Sequence, residues 1–280
     1  MTMGSLCVLR RLRNVSFSIR KCLIQSGLSA AHTEKFSSSS CWNHALSRQD
    51  VSSPCPPVLK KFHSSSRNSL EGCRTFAEPP LLKRDKLSNY LEISDADTEE
   101  IFTKDFELCN EFVSEEEGRV IFDEVEDYLE DAEYQYDHWD NAIHGYRETE
   151  KSRWSEKSQA ILQRIRLKAF PSGEHQLSLV HVLDLAKDGY IKPHVDSVKF
   201  CGTTIVGLSL LSPAVMRLTK QDDPQSWVNV VLQPGSLYIM RNRVRYEFTH
   251  EILKDSDSLF KGQRLQRDRR ISIMCRNEPS

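Results

Sequence analysis

Phe170-Pro171-Ser172-Gly173-Glu174-His175-Gln176-Leu177-Ser178-Leu179-Val180-His181-Val182-Leu183-Asp184-Leu185 is where the chain changes rhythm from a period near 3.6 to a period of 2. Leu177, Leu179, Leu183 and Leu185 share one face of an extended chain, with His181 in register between them, because successive strand side chains point to opposite sides. Downstream, the runs Thr203–Leu211, Ala214–Thr219, Val228–Leu232, Ser236–Arg241, Arg245–His250 and Arg270–Cys275 read as further strands. Turn formers such as Asp222-Asp223-Pro224 and Gln233-Pro234-Gly235 separate them. Upstream, Ser114-Glu115-Glu116-Glu117 is a capping box that predicts a helix start. Val120, Ile121, Val125, Tyr128, Leu129 and Ala132 then recur at three- and four-residue steps with acids on the other face, so this helix packs on a sheet. Short strands after a leading helix predict a mainly β fold with flanking helices, a double-stranded β-helix or jelly-roll core. An immunoglobulin-like sandwich is the competing all-β arrangement, and it would leave the histidines without a shared pocket.

His194-Val195-Asp196 places two ligand-type side chains at i and i+2, on one side of a strand. His250 ends a strand candidate 54 residues after Asp196 and completes two imidazoles and one carboxylate. That donor set leaves open positions on a non-haem Fe(II), where a structural zinc would be fully ligated and often by Cys. In Arg270-Ile271-Ser272-Ile273-Met274-Cys275-Arg276 the period of 2 puts Arg270, Ser272, Met274 and Arg276 on one face. Two guanidinium groups aimed into one cavity require anions, and a planar two-pronged donor suits a dicarboxylate; solvated arginines on an edge strand are the other reading. Pro234-Gly235-Ser236-Leu237-Tyr238 is a turn feeding a strand, whose Tyr238 hydroxyl is placed to bond a carboxylate or simply to pack.

With these residues together, the chain resembles the AlkB family of Fe(II)/2-oxoglutarate dioxygenases over residues 105–277: His194-x-Asp196, His250, and Arg270 with Arg276 six residues on. The strings Tyr136-Asp137-His138-Trp139-Asp140, Glu148 to Ser155, Gly189 to Ser197 and Gly207 to Pro213 resemble a mitochondrial branch of that family. The resemblance implies an oxidoreductase with Fe(2+), 2-oxoglutarate as cosubstrate and O₂. His194, Asp196 and His250 would be the metal ligands and catalytic centre, Arg270 with Tyr238 would bind the distal carboxylate, and Ser272 and Arg276 would complete the cosubstrate site. Ser272 stands where bacterial AlkB has an Asn. The resemblance further implies a part in alkylation-induced programmed necrosis and in fatty-acid metabolism.

Residues 1–76 hold eleven Lys/Arg against three acids, with basic clusters at Arg10, Arg11, Arg13 and at Arg20, Lys21 among apolar residues. Acid-poor, Arg- and Ser-rich composition is that of a mitochondrial transit peptide, expected here to lead to the matrix. The run Ser37 to Ser40, then Pro54, Pro56, Pro57 and Ser64 to Ser66 reads as disorder. Arg74-Thr75-Phe76-Ala77 resembles a processing site with Arg three residues before the cut. Residues 77–104 read as a linker and 105–277 as the dioxygenase domain. Cys7, Cys22, Cys41, Cys55 and Cys73 lie in the leader and Cys109, Cys201 and Cys275 in the domain, with no Cys-x-x-Cys pair; this suits a reducing compartment. No apolar run reaches the roughly eighteen residues a membrane span needs.

Residues 77–280 hold 27 bases against 37 acids, a charge that disfavours duplex DNA as partner, since phosphate contacts supply most sequence-independent affinity. Trp139, His144, Tyr146, Arg147, Lys151, Arg153 and Trp154 interleave; they would stack an unpaired base, line a protein groove, or pack on the sheet. A mitochondrial protein substrate, to be hydroxylated, is the first expectation. Demethylation of mitochondrial RNA or DNA bases is the second, and a catalytically weak jelly-roll scaffold the third.

Overall fold

A computed structural model describes residues 88–136 and 142–279. The transit-peptide reading of residues 1–76, and Trp139, lie outside the described residues.

The chain builds one large antiparallel sheet from β1 (Leu91–Ile93), β2 (Phe106–Cys109), β3 (Ile143–Lys151), β4 (Val180–His194), β5 (Thr204–Leu210), β6 (Ala214–Lys220), β7 (Asp223–Leu232), β8 (Leu237–Arg241), β9 (Phe248–Ile252) and β12 (Arg270–Arg276). A small hairpin of β10 (Leu259–Phe260) and β11 (Gln263–Arg264) stands apart. The helices are α1 (Ala96–Asp105), α2 (Glu115–Leu129), α3 (Glu156–Ala169) and the short α4 (Asn242–Glu247). The strand order β1-β7-β6-β9-β4-β12-β5-β8-β2, with β3 added on β4, is the curled antiparallel arrangement of a jelly roll rather than two Greek-key sheets of a sandwich.

Two cores follow from strict alternation. Ile271, Ile273 and Cys275 of β12, Val206, Leu208 and Leu210 of β5, and Leu237 and Ile239 of β8 face outward. There they meet Ile121, Val125 and Leu129 of α2 and Ile161, Leu162 and Ile165 of α3. The alternate residues, among them Ile205, Leu183, Leu185, Met216, Tyr238, Met240 and Ile252, fill the inside of the roll. A sheet that buries both faces must carry one apolar set for the helices and another for its interior. The capping box at α2 is present in both directions: Ser114 Oγ accepts from the Glu117 N–H at 3.2 Å, and the Ser114 N–H donates to Glu117 Oε2 at 3.0 Å.

Three local expectations differ from the structure. Residues 88–104 are no mere linker, because β1 pairs with β7 and α1 follows an Asp95 cap that accepts from the Thr98 N–H at 2.8 Å. The run Arg245–His250 begins in α4 and becomes strand only at Phe248. Asp105 accounts for this, accepting from Asn242 Nδ2 at 3.0 Å and the Arg243 N–H at 3.2 Å, so a carboxylate from another element fixes that turn. Leu177 and Leu179 precede β4, and Leu179 is exposed; the leucines that reach the interior are Leu183 and Leu185.

Candidate active site

β3, β4 and β12 lie side by side, and their register stacks inward-facing residues in rows: Tyr146, Leu185 and Arg270; then Glu148, Leu183 and Ser272; then Glu150, His181 and Met274. Arg270, Leu183, Ser272, Glu150, His181 and Met274 of these rows form one wall of a cavity. His194, Asp196, His250, Tyr238, Arg270, Ser272 and Arg276 all line that cavity.

His194 closes β4 and His250 sits inside β9, brought opposite each other by a one-residue shift in the β4–β9 register after Ile191. Their rings lie 4.3 Å apart between centroids. Asp196 is not on the strand but in the loop just past it, so the same-side reading of His-x-Asp holds in result and not by strand geometry. One oxygen, Asp196 Oδ1, lies 3.5 Å from His194 Nε2 and 3.7 Å from His250 Nε2. Ligand atoms of the three residues all fall within 4.8 Å of one another. His194 Nδ1 lies 2.9 Å from the Lys192 carbonyl, which only accepts; Nδ1 therefore carries a ring proton, and Nε2 is the nitrogen that faces the cluster.

The electrostatics favour a cation here. Burial pushes the Asp196 carboxyl up, but Arg276, His194 and His250 outweigh it and hold the acid well below the usual carboxylate range. Burial, then the neighbouring His194, drive His250 down to about 3, so its imidazole is neutral. Burial also opposes charge on His194, yet the bond to Asp196 prevails and raises it. Two imidazole nitrogens and a carboxylate oxygen converging in a buried pocket are a fit donor set for a divalent transition metal with positions left open.

Arg270 supplies the second test of fit. It is 2% exposed, and its Nε donates to Ser209 Oγ at 3.1 Å. Among the described residues no carboxylate pairs with it, and burial pulls its pKa down to about 10. A guanidinium held this way is short of an anion, and a cosubstrate carboxylate would provide one. Tyr238 lies near it, with burial raising its hydroxyl pKa against the pull of Arg270. The Tyr238 ring covers Gly207, where any Cβ would stand 2.5 Å from the ring atoms. Only glycine permits that approach.

Ile143, Glu150, His181, Leu183, Ile191, Met216, Ile252 and Met274 were not among the expected site residues, yet they line the same cavity. Met274 shares the inward face of β12 with Arg270, and that face was the signal from which it and its row partners could have been found. Of the interleaved residues, Arg153 is exposed and Trp139 lies outside the described residues, while Tyr146, Arg147, Lys151 and Trp154 are committed elsewhere. Tyr146 is buried, and Arg147 donates to Asp184 at 2.8 Å. Lys151 pairs with Glu124 at 3.1 Å, and Trp154 Nε1 donates to the Lys151 carbonyl.

Residues 103–276 match the family model described as the 2OG-Fe(II) oxygenase superfamily, and the chain belongs to that superfamily: it is an Fe(II)/2-oxoglutarate-dependent dioxygenase. Within it, the chain is AlkB-like, 58% identical over 168 residues to the alpha-ketoglutarate-dependent dioxygenase alkB homolog 7, mitochondrial, of Bos taurus, covering 60% of this chain and 76% of the relative. The protein of the same name from Mus musculus matches with the same identity and coverage. A solved prolyl-4-hydroxylase from Pseudomonas putida aligns at TM-score 0.44 and 12% identity, covering 65% of this chain and 97% of that one.

Proposed function

We propose that this dioxygenase hydroxylates a protein side chain in the mitochondrion, with His194, Asp196 and His250 as the Fe(II) ligands. The observation that carries the choice of substrate is the commitment of Tyr146, Arg147, Lys151 and Trp154 to burial, ion pairs and a carbonyl. Side chains spent in this way do not offer a platform for an unpaired base. The remaining walls are largely apolar, from Ile143, Ile191, Met216, Ile252 and Met274, and suit a hydrocarbon side chain. The mitochondrial setting is supported by the basic, acid-poor residues 1–76 and by the names of the two mammalian relatives. A cellular part in programmed necrosis and fatty-acid metabolism rests on family resemblance alone.

When bound, Fe(II) with 2-oxoglutarate and O₂ supplies oxidative decarboxylation to succinate and CO₂ coupled to oxidation of a substrate C–H. The chain's own work is orientation. His194 is fixed through its Nδ1–H, and Asp196 through Arg276 Nε at 3.0 Å from Oδ2. In this reading Arg270 and Tyr238 receive the distal carboxylate, with Ser272 two residues on along the same inward face of β12. The apolar walls keep water from the reacting carbon.

His250→Ala is expected to lose iron binding and reduce conversion of 2-oxoglutarate to background, while circular dichroism and Tm stay near wild type; unchanged turnover would sink the ligand assignment. The substrate is tested by mass spectrometry of mitochondrial proteins and tRNAs treated with active enzyme or with His250→Ala. An added oxygen on a peptide, present only with active enzyme, supports hydroxylation. Loss of a methyl group from RNA with peptides unchanged favours base demethylation instead.

A further inference from the structure

A polar chain runs from the outer edge of the cavity wall to Asp196. Glu148 Oε2 lies 2.9 Å from His181 Nε2, His181 Nδ1 lies 3.4 Å from Arg276 Nη1, and Arg276 Nε lies 3.0 Å from Asp196 Oδ2. The four residues come from β3, β4, β12 and the loop after β4, so the chain crosses three neighbouring strands. Their side chains are only 13%, 11%, 13% and 8% exposed in that order, which leaves little water to substitute for any link.

The direction of each bond is set by the chemistry of the groups. A guanidinium only donates, so His181 Nδ1 must accept; the ring proton is then on Nε2 and is donated to the Glu148 carboxylate. With Oδ2 taken by Arg276, the oxygen left facing both imidazoles is Oδ1. A carboxylate free to rotate would offer both oxygens to an ion and close a position that must stay open.

We propose that His181 and Glu148 are positioning residues of the metal centre: by anchoring Arg276 they fix the rotamer of Asp196, so that it binds through one oxygen. This rests on the reading of His194, Asp196 and His250 as ligands. Second-layer partners of metal ligands are typically worth about 10–100-fold in metal affinity, and these two act one step further out.

The test is a titration of the metal-free full-length chain with Mn(II), the free ion followed by its electron paramagnetic resonance signal. His181→Leu removes both ring nitrogens and is expected to weaken Mn(II) binding by about 10-fold. His181→Gln offers an amide oxygen to Arg276 and an amide N–H to Glu148, and is expected to bind within about threefold of wild type. That recovery separates a hydrogen-bonding role from mere packing. Imidazole ¹⁵N shifts of wild type should report the Nε2–H tautomer of His181. His181→Leu binding as tightly as wild type, or His181→Gln binding as weakly as His181→Leu, would overturn the proposal. If His181→Leu does not fold, Glu148→Leu, which removes the acceptor of the His181 Nε2–H, carries the test: wild-type affinity overturns it and weakened affinity upholds it. Wild type and His250→Ala binding Mn(II) alike would instead remove the ligand assignment beneath it.

Discussion

Arg270 shows what a single buried cation costs when no carboxylate among the described residues answers it. It sits at 2% exposure on the inner face of β12, with Ser209 Oγ as its neutral acceptor and burial depressing its pKa to about 10. A buried cation without a counter-charge works against folding, and a nonpolar group of similar size is often neutral or stabilising in its place. Arg270→Met is therefore expected to raise the Tm of the ligand-free protein while raising the KM for 2-oxoglutarate by about 30-fold or more, as loss of a buried charge partner does. Differential scanning fluorimetry and succinate release measure the two effects. A lower Tm with KM unchanged would mean that Arg270 is a packing residue and that the carboxylate binds elsewhere. Its inward position was visible in the sequence because Arg270 and Arg276 share the period-2 face with Ser272, and a strand with two arginines turned one way calls for anions there. His181 was visible as a residue in register, but its use was not, since that depends on Arg276 and Glu148 arriving from two other strands.

At the level of elements, β12 and α2 were legible because each separates its surfaces cleanly: Ile271, Ile273 and Cys275 against the helices, and acids outside on α2. β3 was not, for a physical reason. Its sequence, Ile143 to Lys151, satisfies buried positions with ion pairs rather than hydrocarbon: Arg147 with Asp184 and Glu148 with His181. A hydrophobic alternation is therefore missing although the strand is half buried. α3 carried a cap at Ser155, but its other half comes from α2, where Glu124 accepts from the Ser155 N–H at 2.9 Å and from its hydroxyl at 2.7 Å. Glu124 thus joins two helices and Lys151. Burial opposes its charge, yet the bonds from Ser155 and the ion pair with Lys151 prevail and hold its pKa at about 2, below the ordinary 4.5. A depressed carboxylate contributes stability in full above the unfolded value, and the contribution fades as pH falls from 4.5 toward about 2. Glu124→Gln is expected to cost roughly 1–2 kcal/mol at pH 6 and to approach wild type only as pH falls to about 2 and below. Urea unfolding at several pH values reads this directly; a difference independent of pH would place the cost in packing instead.

Across the whole molecule, charge is divided between acidic residues 77–280 and basic residues 1–76, and the division decides which polymers can approach. The interior spends its cations on structure. Asp184, fully buried, takes Arg147 at 2.8 Å, Arg269 at 2.9 Å and the Tyr134 hydroxyl at 3.1 Å, and Arg269 also pairs with Glu126. That network ties α2 to β3, β4 and the start of β12, and it removes two arginines from any contact with phosphate. The surface left over is acidic, with 37 acids against 27 bases in residues 77–280, whereas residues 1–76 carry eleven bases against three acids. Each phosphate neutralised by a protein contributes about −0.9 to the slope of log affinity against log salt. A chain lacking residues 1–76 is therefore expected to show no measurable affinity for duplex DNA in 0.1 M salt by fluorescence anisotropy, and a slope near zero in any residual binding at lower salt. The full chain should bind weakly and with a steep slope that the bases of residues 1–76 supply. A steep slope retained after removal of residues 1–76 would reveal a phosphate track on the remaining chain and would return nucleic acid to the front of the substrate question.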